Sequence, residues 1–167
     1  MTDTPAASDA ATDTIARKFL VVVDNSTEMH AALRFACRRA KHTGGTVALF
    51  HAVPKTEFHH FATIGDLMER EARNEAETLL QKLASDVRAE TGRFPSFYVR
   101  EGDVLTQLID VIQSDRSFSV LVLGAGRGPD GPGPLVAALS GKLAGKIRIP
   151  VTIVPGNLSE DKLDALT

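Results

Sequence analysis

The chain has 167 residues, 43% of them hydrophobic, which suits one domain with a real core. A formal net charge of −2, 5% aromatic residues and no Trp exclude the basic, stacking surface that nucleic-acid binding needs. The single cysteine, Cys37, has no partner for an internal disulfide, and the longest apolar run near the start, residues 19–23, is far shorter than a membrane span. A cytoplasmic chain, with neither nucleic acid nor membrane as partner, is therefore expected.

Residues 1–16 are rich in Ala, Thr, Asp and Ser, offer little apolar surface to bury, and read as a disordered arm. Residues 18–23 (KFLVVV) form a short β-branched run ended by Asp24-Asn25-Ser26, the pattern of a buried strand followed by a helix cap. Asn25 and Glu28 have the spacing of a capping box, with Asn in place of Ser or Thr. Met29, Leu33, Ala36 and Ala40 then recur at helical spacing until Gly44-Gly45. Residues 46–52 (TVALFHA) predict a second strand, and Ile64, Met68, Ala72, Ala76, Leu79, Leu83 and Val87 a long second helix ending at Gly92. A third, less apolar strand is expected at 97–100. Asp103 caps a third helix through Leu105, Leu108, Ile109 and Ile112, and residues 119–123 (SVLVL) make a fourth strand. A fourth helix is expected over 134–147, and a fifth strand at 150–154 (PVTIV).

Apolar strands separated by helices imply a five-stranded parallel α/β sheet covered on both faces, with right-handed crossovers. Ligands of such folds bind at the carboxyl ends of the strands, where the strand order reverses. The loops expected at that edge carry Asp24, His51 and Ala52, Gly102-Asp103, and the glycine-rich run 124–133 (GAGRGPDGPG). Glycines there let backbone N–H groups form a concave nest for an anion, though glycine also simply makes turns. Gly124, Gly126 and Gly128 lack the spacing of a dinucleotide fingerprint, follow the fourth strand, and have Pro129 and Pro132 before any helix.

Several features have plain readings. Cys37 lies four residues after Leu33 and eight after Met29, on the face that a small buried hydrophobe would occupy. His51, His59 and His60 have no fourth ligand at a recognised spacing, and the His59-His60 segment reads as a solvated loop. The charged face Glu69, Arg70, Glu71, Arg73, Glu75 and Glu77 fits a solvated helix with pairs such as Glu69 and Arg73. For Asp24 two readings stand side by side, a ligand hydroxyl contact and a contribution to the cap of the helix that begins near Thr27. Residues 159–166 read either as a turn of helix or as a loose acidic tail.

In order and at the right separations, FLVVVDNSTEMHAALRFA, LFHAVP, REGDV, VLVLGAG and IPVTIVP resemble the universal stress protein family over residues 18–155. The resemblance implies a flavodoxin- or Rossmann-like α/β domain of the adenine-nucleotide-binding type over 17–156, with 157–167 as an acidic tail. It also implies a homodimer paired through the last strand, residues 150–154, a protein partner of unknown identity, and a role in stress tolerance or signalling without a known reaction. One branch of that family binds ATP through Gly, two residues, Gly, nine residues, then Gly-Ser or Gly-Thr. Counting back from Pro150-Val151 puts the first glycine at Gly124, the second at Arg127 and the final pair at Ala137-Ala138. A shift by one recovers Gly128 but puts the pair at Ala138-Leu139. By the same resemblance Asp24 contacts the ribose and Ala52 the adenine through its backbone.

Two methyl groups replace a close backbone approach and a hydroxyl, and the loss of one charged hydrogen bond costs about 1.5–3 kcal/mol. Arg127 offers a guanidinium in compensation. The expected function is thus a non-catalytic, dimeric stress protein whose ATP site is degraded or altered, with ATP or AMP as cofactor and no metal beyond the Mg that accompanies a nucleotide. The alternative is an ATP- or AMP-binding stress protein with weak nucleotide hydrolase activity. A P-loop lysine and a Ser-His-Asp set are missing from the loops, and Glu101-Gly102 stands where a phosphoacceptor domain needs an aspartate.

Overall fold

The computed structural model describes residues 16–55 and 62–167. Along the chain come β1 (Lys18–Val22), α1 (Thr27–Thr43), β2 (Thr46–Val53), α2 (Ala62–Thr91), β3 (Ser96–Glu101) and α3 (Val104–Ser114). They are followed by β4 (Phe118–Ala125), α4 (Pro134–Ser140), a 3-10 turn (Ala144–Lys146), β5 (Val151–Pro155) and α5 (Glu160–Leu166). Every strand pairing is parallel and the order is β3-β2-β1-β4-β5, so the chain winds outward from β1 in one direction and then in the other. The order reverses between β1 and β4.

The period-2 alternation of the strands divides the core in two. Phe19, Val21, Val47, Leu49, Val122 and Val154 face α1, α2 and Leu163 of α5. Leu20, Val22, Ala48, Phe50, Leu121 and Leu123 face α3 and α4. The central strands are apolar over most of their length because both faces are covered, with polar residues near the ends (Lys18, Thr46, His51, Ser119), whereas β3 is an edge strand and leaves Phe97 and Val99 exposed. On α1 the buried face combines Met29 and Leu33 with the small residues Ala31, Ala32, Ala36, Cys37 and Ala40, which bring the helix close to the sheet.

Two expectations change, and of the two readings of the last segment the helical one holds. The cap of α1 is Ser26, one residue after Asn25: Ser26 has extended backbone and its Oγ accepts the Met29 N–H at 3.3 Å. Asp24 makes this possible by accepting the Ser26 N–H at 2.8 Å, which fixes a turn just ahead of the helix. The fourth helix stops at Ser140 instead of running to 147. At Gly141 the backbone turns to φ −111°, ψ −124°, and a separate 3-10 turn follows. The last segment is helical: α5 docks on α1, with Leu163 fully buried and Arg34 and Arg38 paired with Glu160. Among the described residues no helix is long and apolar enough to cross a membrane.

Candidate ligand site

At the carboxyl edge, where the strand order reverses, lies a cavity of about 460 Å³. Its floor is apolar, with Val22, Met29, Leu105, Leu123 and Val136 in the lining. Its polar lining comes from the turn after β1 (Asp24, Ser26, Glu28), the end of β2 (His51, with the Ala52 backbone beside it) and the cap of α3 (Asp103). The size and the mixture of an apolar floor with a few polar groups suit a small organic ligand.

Each polar group has a structural reason for its position. Asp24 Oδ1 accepts from both the amide and the hydroxyl of Ser26, at 2.8 and 2.5 Å. That hydroxyl also caps α1, so it is committed at both ends. His51 Nδ1 lies 2.9 Å from the Val23 carbonyl. A carbonyl only accepts, so Nδ1 carries the proton and Nε2 of the neutral ring is an acceptor. Asp103 Oδ2 accepts the Thr106 N–H at 2.9 Å and the Thr106 hydroxyl at 2.8 Å. The Thr106 amide, and then its hydroxyl, hold the Asp103 carboxyl below its ordinary range.

The glycine-rich segment closes the cavity from the β4 side, and Gly124, Pro132 and Gly133 line it. Its backbone turns on itself: the Gly126 N–H donates to Pro132 O at 3.3 Å and the Gly131 N–H to Gly128 O at 3.1 Å. Gly131 and Gly133 have φ of +79° and +99°, which glycine alone adopts without strain. Gly124 is tight for another reason. A Cβ there would run into the Glu28 carbonyl, so its bare backbone lets the first turn of α1 settle onto β4.

Of the residues singled out from sequence, the fold brings Asp24, Ala52 and Gly124 together in the lining. Gly102 supports Asp103 from outside it, with φ +125° and its N–H on Val53 O at 2.9 Å. Gly126, Arg127 and Gly128 lie along the loop outside the lining, and the Arg127 guanidinium is 3.5 Å from Asn157 Oδ1. Ala137, Ala138 and Leu139 are in α4 beyond the lining, Leu139 as a buried core residue. Sequence reasoning placed Glu28 only in a cap and gave Ser26, Val104 and residues 134–136 no ligand role, while Pro132 and Gly133 entered only as part of the glycine-rich run. Since the helix after β1 must start at the crevice, the first-turn positions Ser26 and Glu28 are where the signal lay. Among the described residues no group of three or more His, Cys, Asp or Glu could hold a metal, and His59 and His60 lie outside them.

The sequence matches the universal stress protein family over residues 16–155. No curated protein matches it. Among solved structures, the universal stress protein UspA from Lactobacillus plantarum is 16% identical with a TM-score of 0.69, covering 83% of this chain and 97% of that one. A family protein from Arabidopsis thaliana with AMP bound is 16% identical, TM-score 0.60, covering 87% and 94%. The universal stress protein from Archaeoglobus fulgidus in complex with dAMP is 21% identical, TM-score 0.52, covering 84% and 98%. At these identities the likeness is one of fold.

Proposed function

We propose that this chain, which belongs to the universal stress protein family, is a non-catalytic, dimeric stress protein whose switch-point cavity takes the adenosine portion of a ligand and whose phosphate end is altered. The observation that carries this reading is the glycine-rich loop. Two of its N–H groups are spent on its own carbonyls, and its one arginine lies outside the cavity lining. The helix that follows has only seven residues and starts with Pro134 at its first turn, so it adds little positive potential.

Support for an adenine ligand comes from the relatives solved with AMP and dAMP, and from a cavity at the point where the strand order reverses, the usual ligand position in such sheets. Support for a non-catalytic role comes from the one hydroxyl of the lining: Ser26 Oγ donates to Asp24 and accepts the Met29 N–H, so it is held in the cap of α1 and is not free to act as a nucleophile. The free edge of β5, with Ile153 40% exposed, supports pairing with a second copy.

Three measurements on the full chain test the reading. Calorimetric titration with adenosine should show binding, incubation with ATP should release no phosphate, and sedimentation at micromolar concentration should give a dimer. Steady phosphate release would install the hydrolase alternative. A monomer would remove the β5 interface.

A further inference from the structure

The lining offers a ligand acceptors and negative charge. Asp24, Glu28 and Asp103 all belong to it, and no lysine or arginine does. The one basic side chain there, His51, is anchored through its protonated Nδ1. A ligand that fits must therefore bring donors, such as hydroxyl or amino groups, and must not bring an anion into this field.

Glu28 stands at the decisive place. It is half-buried on the first turn of α1, and the closeness of Gly156 and Gly126 makes room for it. A Cβ at Gly156 would lie 2.7 Å from the Glu28 Cβ, and a Cβ at Gly126 would lie 3.2 Å from Glu28 Oε1. The carboxylate thus lies against Gly126 at the start of the glycine-rich loop, and Glu28 belongs to the cavity lining. Oε2 has one short-range donor, the Thr27 hydroxyl at 3.3 Å, and among the described residues no cation is paired with it.

We propose that this cavity selects an unphosphorylated adenine nucleoside over the corresponding nucleotides, and that Glu28 sets that preference. The inference rests on the reading of the cavity as an adenosine site and adds its charge selectivity. At an effective dielectric near 20, one like-charge pair about 12 Å apart already amounts to roughly tenfold in affinity.

The test is calorimetric titration of the full chain with adenosine, AMP and Mg-ATP, repeated with Glu28→Gln. Adenosine should bind at least about tenfold more tightly than AMP. Glu28→Gln should narrow the gap by roughly three- to tenfold. Because that variant also alters a helix terminus, wild type is measured in addition between roughly 0.05 and 0.5 M salt, where screening should narrow the same gap. AMP or Mg-ATP binding as tightly as adenosine overturns the selectivity while leaving the adenine site standing. So does a gap indifferent to both salt and Glu28→Gln. Binding of none of the three overturns the site itself, and the selectivity with it.

Discussion

Truncating Leu163 tests what holds the carboxyl-terminal helix. Leu163 is fully buried among residues of α1 and β5, while the charged contacts around it, Arg34 and Arg38 with Glu160 and Arg38 with Asp164, lie at the surface. Leu163→Ala removes about three carbons from the core, worth roughly 2.4 kcal/mol of transfer at about 0.8 kcal/mol each, plus a cavity penalty. A terminal helix can settle into the gap, which keeps that penalty small, so the expected loss is about 2–3 kcal/mol. Glu160 and Asp164 are 52% and 64% exposed, and each pair contributes about 0.2–1 kcal/mol in water. Packing should therefore win. Urea unfolding followed by circular dichroism should show the Leu163→Ala loss, with a melting point about 5–10 °C lower. Glu160→Ala should cost under about 1 kcal/mol, and less in high salt. A Leu163→Ala loss below about 0.5 kcal/mol, or a larger one for Glu160→Ala, would refute the reasoning.

Asp115 is held down to about 2 by the Ser117 hydroxyl and then by Tyr98, whose OH donates to Oδ2 at 2.6 Å. A depressed acid stabilises the fold above its unfolded pKa and loses that contribution as pH falls through its folded one. Discounted for solvent screening, Asp115→Asn should cost about 1 kcal/mol at neutral pH, a difference that disappears between roughly pH 4 and 2 in acid unfolding curves. Burial pushes the Cys37 thiol up to about 12, so a thiol reagent at pH 8 should label the native protein only at the rate at which it opens, and stoichiometric labelling within minutes would contradict that. Ala137→Gly with Ala138→Ser should leave AMP affinity within about twofold in calorimetry, since both positions lie outside the cavity lining; a tenfold gain would restore the family's phosphate contact to this chain. Gly124→Ala should destabilise the fold by about 1–3 kcal/mol in ligand-free urea unfolding, because the new methyl meets the Glu28 backbone.

The strands were legible in the sequence to within two residues: β1, β2 and β4 because a doubly covered parallel strand is mostly apolar, and all of them because turn residues bound the runs. The cap of α1 was displaced by one because Asn25 and Ser26 are both good capping residues and only the Asp24 turn decides between them. The extended fourth helix has a different cause. Leu135, Val136, Leu139, Leu143 and Ile147 keep helical spacing, and all five pack against the α3/α4 core. The period survives the break at Gly141 because the helix and the 3-10 turn bury the same face, so periodicity alone could not reveal it. The cavity was legible as an edge of the sheet and illegible as a lining. Glu28 and Pro132 are more than a hundred residues apart along the chain, and only the reversal of strand order brings their loops together.

That reversal also explains how one glycine of the nucleotide pattern can be present where the rest is altered. Gly124 has two separable uses in this fold. A phosphate loop would need it for backbone approach to the ligand, but here the approach it permits is that of α1, whose first turn lies against its backbone. Gly156 meets the same turn from β5, so the start of α1 is seated on two bare stretches of backbone whether or not a ligand is present. Nothing comparable constrains Arg127, which is exposed, or Ala137 and Ala138, which need only be compatible with a short helix. The seating of α1 carries Glu28 to the start of the loop, so the packing that retains Gly124 is also what places a carboxylate beside Gly126 in the cavity lining. If the ligand-free stability loss in Gly124→Ala is as large as packing requires, that glycine says nothing by itself about nucleotide binding, and the proposed selectivity rests on the charges of the lining, Asp24, Glu28 and Asp103.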